Sequence, residues 1–269
     1  MFKSTSKLMT ELNKKGLLSF AINGQIKNQS LLSLFNSSKP SNKVGESRLF
    51  YSHDDYDVTL VKSLGDKPSN ETFRMESAKG LQELKKFDVD QVFIDHNSHD
   101  VAVGTNLSTF KYSLKTKGND NKKNFEIKSL QDVNENNEHG LNWKSGEIYA
   151  DAQNLARELM EMPSNYCTPT YFCERAQNEL KGIDNVTVQV FDEEWAKSKN
   201  MNTFLSVAAG TDQPAKFLQV NYNGGNANDR PLALIGKGIT FDSGGISIKG
   251  GAGMKLMKGD MGGAATLFG

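Results

Sequence analysis

The sequence predicts an α/β protein with two domains joined by a helix. Short runs rich in β-branched and aromatic residues alternate with segments of helical apolar spacing along most of the chain. A strongly periodic segment predicts one long helix, and 269 residues are enough for one large or two ordinary domains. We therefore expect an N-terminal α/β domain over residues 1–142, a connecting helix over residues 143–162 and a second α/β domain over residues 163–269.

The N-terminal domain is expected to contain strands and helices in mixed order. Residues 71–87 have apolar positions at helical spacing. Three runs have the composition of strands, namely residues 57–64, 91–95 and 101–103. Two polar stretches predict loops, at residues 36–47 and 116–123. This pattern is typical of a small α/β domain.

The connecting helix has a predicted start and end. Ser145 can cap its first turn, and Pro163 ends it. Its apolar side chains recur at steps of three and four residues, at Ile148, Ala152, Leu155, Ala156 and Leu159. We therefore interpret this segment as the connector between the two domains.

The second domain is expected to alternate helices and strands. Thr168, which precedes a proline, predicts the start of a helix, and Asp192 predicts the start of a short one. Residues 186–191 and 217–222 have strand patterns. Residues 232–235 are a continuous apolar run, which predicts a central strand of a sheet covered on both faces.

Charge and hydropathy exclude several classes of protein. The 32 basic and 32 acidic residues give a formal net charge of zero, so no field attracts nucleic acid or an anionic membrane surface. No run approaches the 18 apolar residues of a membrane-spanning helix. We expect a cytoplasmic protein with neither a membrane nor nucleic acid as partner. The basic, serine-rich residues 1–49 leave an organelle transit peptide as an alternative to a solvated domain edge.

The spacing of the cysteines and histidines does not predict a disulfide framework or a metal site. Cys167 and Cys173 are the only cysteines, and their spacing matches neither a disulfide framework nor a metal motif. We expect both to be packing residues. The four histidines are expected at the surface, because only His96 and His99 lie close together and no cysteine accompanies them.

Charged residues concentrate in the glycine-rich segment at residues 236–269. Asp242 and Asp260 are its aspartates, and its lysines include Lys237 and Lys249. Loops that follow strands of α/β sheets build ligand sites, because a rigid scaffold holds a backbone that approaches the ligand closely. An aspartate in an isolated Asp-Ser-Gly-Gly sequence more often forms a turn, with nearby lysines in solvent, and this is one interpretation of Asp242. The apolar neighbours of these charges favour a covered site instead, where aspartates and a lysine of lowered pKa can bind divalent cations.

Other site classes fit this segment poorly. The phosphate-binding loop pattern is absent, since the Gly-Lys pair at residues 236–237 is followed by glycine rather than serine or threonine. The dinucleotide pattern fails because Phe241 stands where its third glycine belongs. Ser243 lacks the first glycine of the hydrolase nucleophile turn.

Four stretches of the chain resemble the leucyl aminopeptidase family of dinuclear metallopeptidases. They read QNLARELMEMPSNYCTPTYF, VAAGTDQPAKFLQVNYNG, LIGKGITFDSGGISIK and MKLMKGDMGGAAT, in the family's order and spacing. The resemblance runs nearly continuously from about residue 145 to the end. It implies a macro-like N-terminal α/β domain, a connecting helix and the first part of an α/β metallopeptidase catalytic domain over residues 163–269.

The resemblance also implies a role for each matching residue. Lys237 corresponds to a ligand of one metal ion, Asp242 to a ligand that bridges two ions, and Asp260 to a further ligand. Lys249 corresponds to the catalytic lysine that binds and polarises the scissile carbonyl. Met257 corresponds to a residue that lines the pocket for the substrate's first side chain.

The implied activity is release of N-terminal amino acids, with a leucine-type preference, by a water that two divalent ions activate. The implied cofactors are two Zn²⁺ or Mn²⁺ ions. The implied partners are peptides with a free N-terminus and, in the full-length parent, copies of the protein in a hexamer, an assembly that a truncated chain need not form. The family's later motif, Asn-Thr-Asp-Ala-Glu-Gly-Arg, is absent from these residues. We therefore expect a C-terminally truncated chain with weak metal affinity and little turnover. The alternative is an inactive family member or fragment that serves as a structural or binding subunit.

Overall fold

The computed structural model describes residues 14–114, 126–131, 136, 139–226 and 228–269. The predicted loop at residues 116–123 lies outside them. The chain forms two compact units, Met1–Asp151 and Ala152–Gly269. The division between the units falls within a single helix, so the domain bounds inferred from the sequence remain predictions.

The first unit is built on a mixed five-stranded sheet. Its strands are β1 (Lys15–Ala21), β2 (Ser47–His53), β3 (Tyr56–Ser63), β4 (Gln91–Ile94) and β5 (Glu126–Ser129), in the spatial order β2-β3-β1-β4-β5. β2 runs antiparallel to β3, and the other pairs are parallel. Its helices are α1 (Gln29–Ser37), α2 (Asn70–Leu84), α3 (His99–Leu107) and the first part of α4 (Trp143–Glu161). The α/β class is therefore as the sequence predicts.

Helices cover both faces of this sheet, so the central strand is buried on both sides. Leu17 of β1 packs in one apolar cluster with Phe35 of α1. Leu18 points to the other face and packs in a second cluster with Leu81 of α2 and Trp143 of α4. Successive strand residues alternate between the two clusters, as expected for a parallel sheet with helices on both sides.

The predicted strand at residues 101–103 is wrong, because these residues lie inside α3. The side chain of Ser98 accepts a hydrogen bond from the Val101 amide and caps the helix. Seven of the nine residues of α3 are buried, so packing on several sides decides the local structure over β-propensity.

The expectation of surface histidines is also wrong for part of the set. His53 and His99 are buried. The Nδ1 atom of His99 lies 2.9 Å from Oγ of Ser145, and its ring meets the edge of Tyr149. These contacts make His99 a packing residue of the first unit.

The second unit begins within α4 and contains a two-stranded antiparallel sheet. Its other elements are α5 (Pro169–Glu179), β6 (Val186–Phe191), α6 (Glu193–Ser198), α7 (Asn202–Val207), β7 (Phe217–Tyr222), α8 (Gly251–Met254) and α9 (Gly262–Phe268). Two of the three predicted caps are present: Thr168 accepts from the Tyr171 amide at 3.2 Å, and Asp192 from the Trp195 amide at 2.9 Å. The predicted cap at Ser145 is wrong, because Ser145 lies inside α4 and its amide donates to Oδ1 of Asn142 at 2.9 Å. Cys167 and Cys173 are free and buried, as expected, and burial raises the pKa of both thiols to about 11.

The predicted central strand at residues 232–235 is wrong. These residues are irregular, and Leu232 and Ile235 are 83% and 95% exposed. A strand needs a partner for its backbone hydrogen bonds, and within the described residues the second unit pairs only β6 with β7. Across the described ranges, no helix is both long and apolar enough to cross a membrane.

Candidate metal and catalytic site

The start of the glycine-rich segment packs against α9. The carbonyl of Lys237 accepts a hydrogen bond from the Ala264 amide at 2.8 Å. A Cβ atom on Gly236 would lie 2.7 Å from the Cα atom of Ala264, so glycine is required for this close approach. The contact places Lys237 beside the residues that precede α9.

The carbonyl oxygen of Met257 brings the two aspartates of the segment together. The Asp242 amide lies 3.4 Å from this oxygen, and the Asp260 amide lies 3.3 Å from it. Both amides point at one acceptor, so the two residues are neighbours although 18 positions separate them.

Asp242 is held in a tight turn and paired with Lys249. The Lys249 ammonium lies 2.5 Å from Oδ2 of Asp242, and the Gly244 amide donates to Oδ1 at 3.0 Å. The turn closes through the Lys249 amide, which donates to the Ser243 carbonyl at 2.9 Å. Gly244 has φ of +91°, which a residue with a side chain rarely adopts.

The charges around Asp242 favour its ionised form. The hydrogen bond from Lys249 is the largest influence and lowers the pKa of the Asp242 carboxyl. Partial burial opposes this effect, whereas the Gly244 amide and the charges of Lys249 and Lys237 add to it. Asp242 is therefore a carboxylate at neutral pH, the form that binds a cation.

Asp260 faces Lys237. The Lys237 ammonium lies 3.2 Å from Oδ2 of Asp260, while 60% of the lysine side chain is exposed. Oδ2 of Asp260 is buried and accepts no hydrogen bond in the structure. This oxygen is thus buried, close to a cationic group and without a hydrogen bond.

The remaining predicted residue lies beside Lys249. The Lys249 ammonium lies 3.2 Å from Sδ of Met257, within reach of a weak hydrogen bond. The structure therefore brings all five residues singled out by the sequence into one cluster, which consists of Lys237, Asp242, Lys249, Met257 and Asp260.

The expectation that apolar neighbours cover these charges is wrong. Ile246 and Ile248 are exposed, as is Leu256, so water reaches the cluster from the side of these residues. In the part of the chain that the structure describes, no three His, Cys, Asp or Glu side chains are grouped as a metal site. The cluster offers two carboxylates as metal ligands. Its lysines are the further side chains that could supply a ligand nitrogen.

Sequence reasoning missed one residue that holds this region. The Lys258 ammonium donates to the carbonyl oxygen of Glu161 at 2.6 Å and pairs with its carboxylate at 2.9 Å. The two residues are 97 positions apart, and no local pattern indicates their contact.

Comparison with known proteins finds a family match for the second half of the chain and solved structures of the same fold. Residues 154–269 match the cytosol aminopeptidase family, catalytic domain. The chain is 37% identical over 246 residues to cytosol aminopeptidase of Xenopus tropicalis, covering 86% of this chain and 46% of that protein. The chain spans about half the length of the curated relatives it matches.

Two solved structures have the same fold at low sequence identity. One is the bottromycin maturation enzyme BotP in complex with Mn, with a TM-score of 0.73 and 21% identity, covering 96% of this chain and 55% of that one. The other is a mutant of tomato leucine aminopeptidase, with a TM-score of 0.71 and 22% identity, covering 98% and 56%. At these identities the likeness concerns the fold alone.

Proposed function

We propose that the protein is a metal-dependent aminopeptidase that releases N-terminal, leucine-type residues from peptides, since residues 154–269 match the catalytic domain of the cytosol aminopeptidase family. The observation that carries the proposal is the pairing of Lys249 with Asp242 and of Lys237 with Asp260 within one cluster. Curated relatives named cytosol aminopeptidase support the same activity.

The donor atoms of the cluster fit divalent cations. Asp242 is ionised, and Oδ2 of Asp260 is a buried oxygen without a hydrogen bond. Carboxylate oxygens suit Mn²⁺ and Zn²⁺, and Lys237 would add a nitrogen once its ammonium has given up a proton. Two such ions, when bound, would supply Lewis-acid activation of water. These three residues are fewer ligands than two four-coordinate ions require, so we expect weak binding by this set.

The other residues of the cluster have roles that follow from their positions. Lys249 carries a positive charge next to the carboxylates, where it would donate a hydrogen bond to the substrate carbonyl and stabilise negative charge on its oxygen. Met257 lies against Lys249 and would present an apolar, adaptable thioether to the first side chain of the peptide. Asp242 would orient Lys249 until substrate and cations arrive.

The same family match supports further parts of the proposal. We propose a cytoplasmic location, peptides with a free N-terminus as partners and, for the full-length parent, assembly into a hexamer. Size-exclusion chromatography with light scattering tests the last point, since a mass of one chain at micromolar concentration contradicts the hexamer.

The activity is tested with the purified 269-residue chain. Leucine p-nitroanilide is the substrate, and N-acetyl-leucine p-nitroanilide, whose amine is blocked, is its control. We expect slow release that requires Mn²⁺ and a free amine, because the ligand set is small. Asp242→Asn should abolish it, whereas Asp212→Asn, at an exposed aspartate outside the cluster, should not.

Two results would overturn the proposal. Cleavage of the acetylated substrate at the same rate would contradict an exopeptidase. A chain that neither binds Mn²⁺ in calorimetry nor releases leucine would instead favour the alternative of a structural or binding subunit.

A further inference from the structure

The segment that carries Met257 and Asp260 is fastened to the end of α4 by Lys258. The Lys258 ammonium donates to the main-chain oxygen of Glu161 at 2.6 Å and to its Oε2 atom at 2.9 Å. Glu161 is the last residue of α4. One lysine therefore makes both a main-chain and a side-chain contact across 97 positions of sequence.

The helix end is a favourable place for this ammonium. The last four carbonyl groups of a helix lack partners within the helix, and they carry the negative end of its dipole. A lysine that donates to such a carbonyl satisfies it and is attracted by the dipole. The contact is therefore stronger than an exposed lysine–glutamate pair by itself.

Close packing on Met160 adds to the contact. A Cβ atom on Gly262 would lie 3.0 Å from Cε of Met160, and one on Gly259 would lie 3.7 Å from it. Glycines on both sides of Asp260 thus let the backbone lie against the last turn of α4. Met160 and Glu161 together form the surface on which residues 258–262 rest.

We propose that Lys258 is a positioning residue for Asp260, acting through the end of α4. The proposal rests on the metal-ligand role proposed above for Asp260. The Asp260 amide is held by the Met257 carbonyl, and its carboxylate faces Lys237. Lys258 stands between Met257 and Asp260, so its contact with Glu161 fixes the turn that aims the carboxylate. Without it the turn loses its attachment, and Asp260 spends less time in the cation-binding position.

Calorimetric titration of the 269-residue chain with Mn²⁺ tests the proposal. We expect Lys258→Met to weaken Mn²⁺ binding about tenfold, the effect usual for residues that orient a metal ligand. Lys258→Arg should recover most of the affinity, because a guanidinium can donate to the same carbonyl. The matched control is Arg175→Met, which breaks the ion pairs of Arg175 with Glu158 of α4 at 2.9 Å and with Glu179 at 2.7 Å, neither of which lies in residues 257–262.

Hydrogen–deuterium exchange gives a second readout that needs no metal. The amides of residues 257–262 should exchange faster in Lys258→Met than in the wild type or in Arg175→Met. Unchanged exchange, or equal loss of Mn²⁺ affinity in both variants, would overturn the positioning role and leave the proposed function intact. Failure of the wild type to bind Mn²⁺ would overturn both.

Discussion

The side-chain ammonium of Lys249 lies 2.5 Å from Oδ2 of Asp242. The lysine proposed to act on the substrate is thus paired with an aspartate proposed to hold a cation. Lys249 lowers the pKa of the Asp242 carboxyl, so the carboxylate charge exists before any ligand arrives. Preorganised charges of this kind lose little energy to rearrangement during a reaction.

Replacement of Lys249 by methionine should raise the pKa of the Asp242 carboxyl toward its ordinary value, because the main influence that lowers it is removed. A lowered carboxyl pKa contributes stability at higher pH that is lost as pH falls through that pKa, so this contribution should shrink. Carbon-13 NMR titration of the metal-free chain measures the pKa. Leucine p-nitroanilide turnover should fall about 100-fold or more. An unchanged pKa would show that Lys249 does not pair with Asp242 in solution.

Replacement of Asp95 by asparagine should stabilise the first unit at neutral pH. Burial raises the pKa of Asp95 to about 6, while the hydrogen bond from Ser19 opposes the rise. The native state therefore holds a proton between about pH 4 and pH 6 that the unfolded state releases, and stability falls as pH rises through this window. We expect Asp95→Asn to raise the free energy of unfolding by about 1–2 kcal/mol at pH 7.5 and by almost nothing at pH 4. Urea unfolding at both pH values measures this change. The control Asp88→Asn, at an exposed residue, should leave the free energy of unfolding unchanged at both pH values.

His96 should titrate far below an ordinary histidine. Burial, with a smaller effect from the charge of Lys27, lowers its pKa to about 4, and its ring packs against Phe73 and Phe20. The unfolded state binds a proton below about pH 6.5 that the native state refuses, so stability is lost as pH falls from there toward 4. Proton NMR of the imidazole checks the midpoint, and His96→Phe should remove this part of the acid sensitivity. A midpoint near 6.5 would contradict the burial of the ring.

Replacement of Gly104 by alanine should destabilise the first unit by about 2–3 kcal/mol. A Cβ atom at this position would lie 2.1 Å from the carbonyl oxygen of Arg74 and 2.4 Å from Oγ of Ser77. Both atoms belong to α2, so α2 and α3 would have to separate. Gly210→Ala, where nothing lies within 4 Å, should change the free energy of unfolding by less than about 0.5 kcal/mol.

The sequence predicted those structural features that are set by residues a few positions apart. The caps at Thr168 and Asp192 follow from hydrogen bonds that span three positions, so the sequence contains the whole signal. Residues 101–103 show the opposite case, since the burial that makes them helical comes from other elements. Residues 232–235 look like a buried strand by composition, yet pairing depends on partners that composition cannot name.

The candidate site also has a part that the sequence predicted and a part that it did not. Motif order pointed to Lys237, Asp242, Lys249, Met257 and Asp260, and the structure brings these residues together. The apolar cover expected from their neighbours is absent at Ile246, because adjacency in sequence says nothing about which way a side chain faces. The Lys258–Glu161 contact was out of reach for sequence reasoning, since it joins a loop to the end of a distant helix.

The exposed apolar run at residues 232–235 has a consequence for the aggregation of this chain in concentrated solution. Exposed apolar segments with strand-like composition invite cross-chain association into β-rich aggregates. Colloidal stability should therefore fall steeply with protein concentration and rise when a charge is placed in this run.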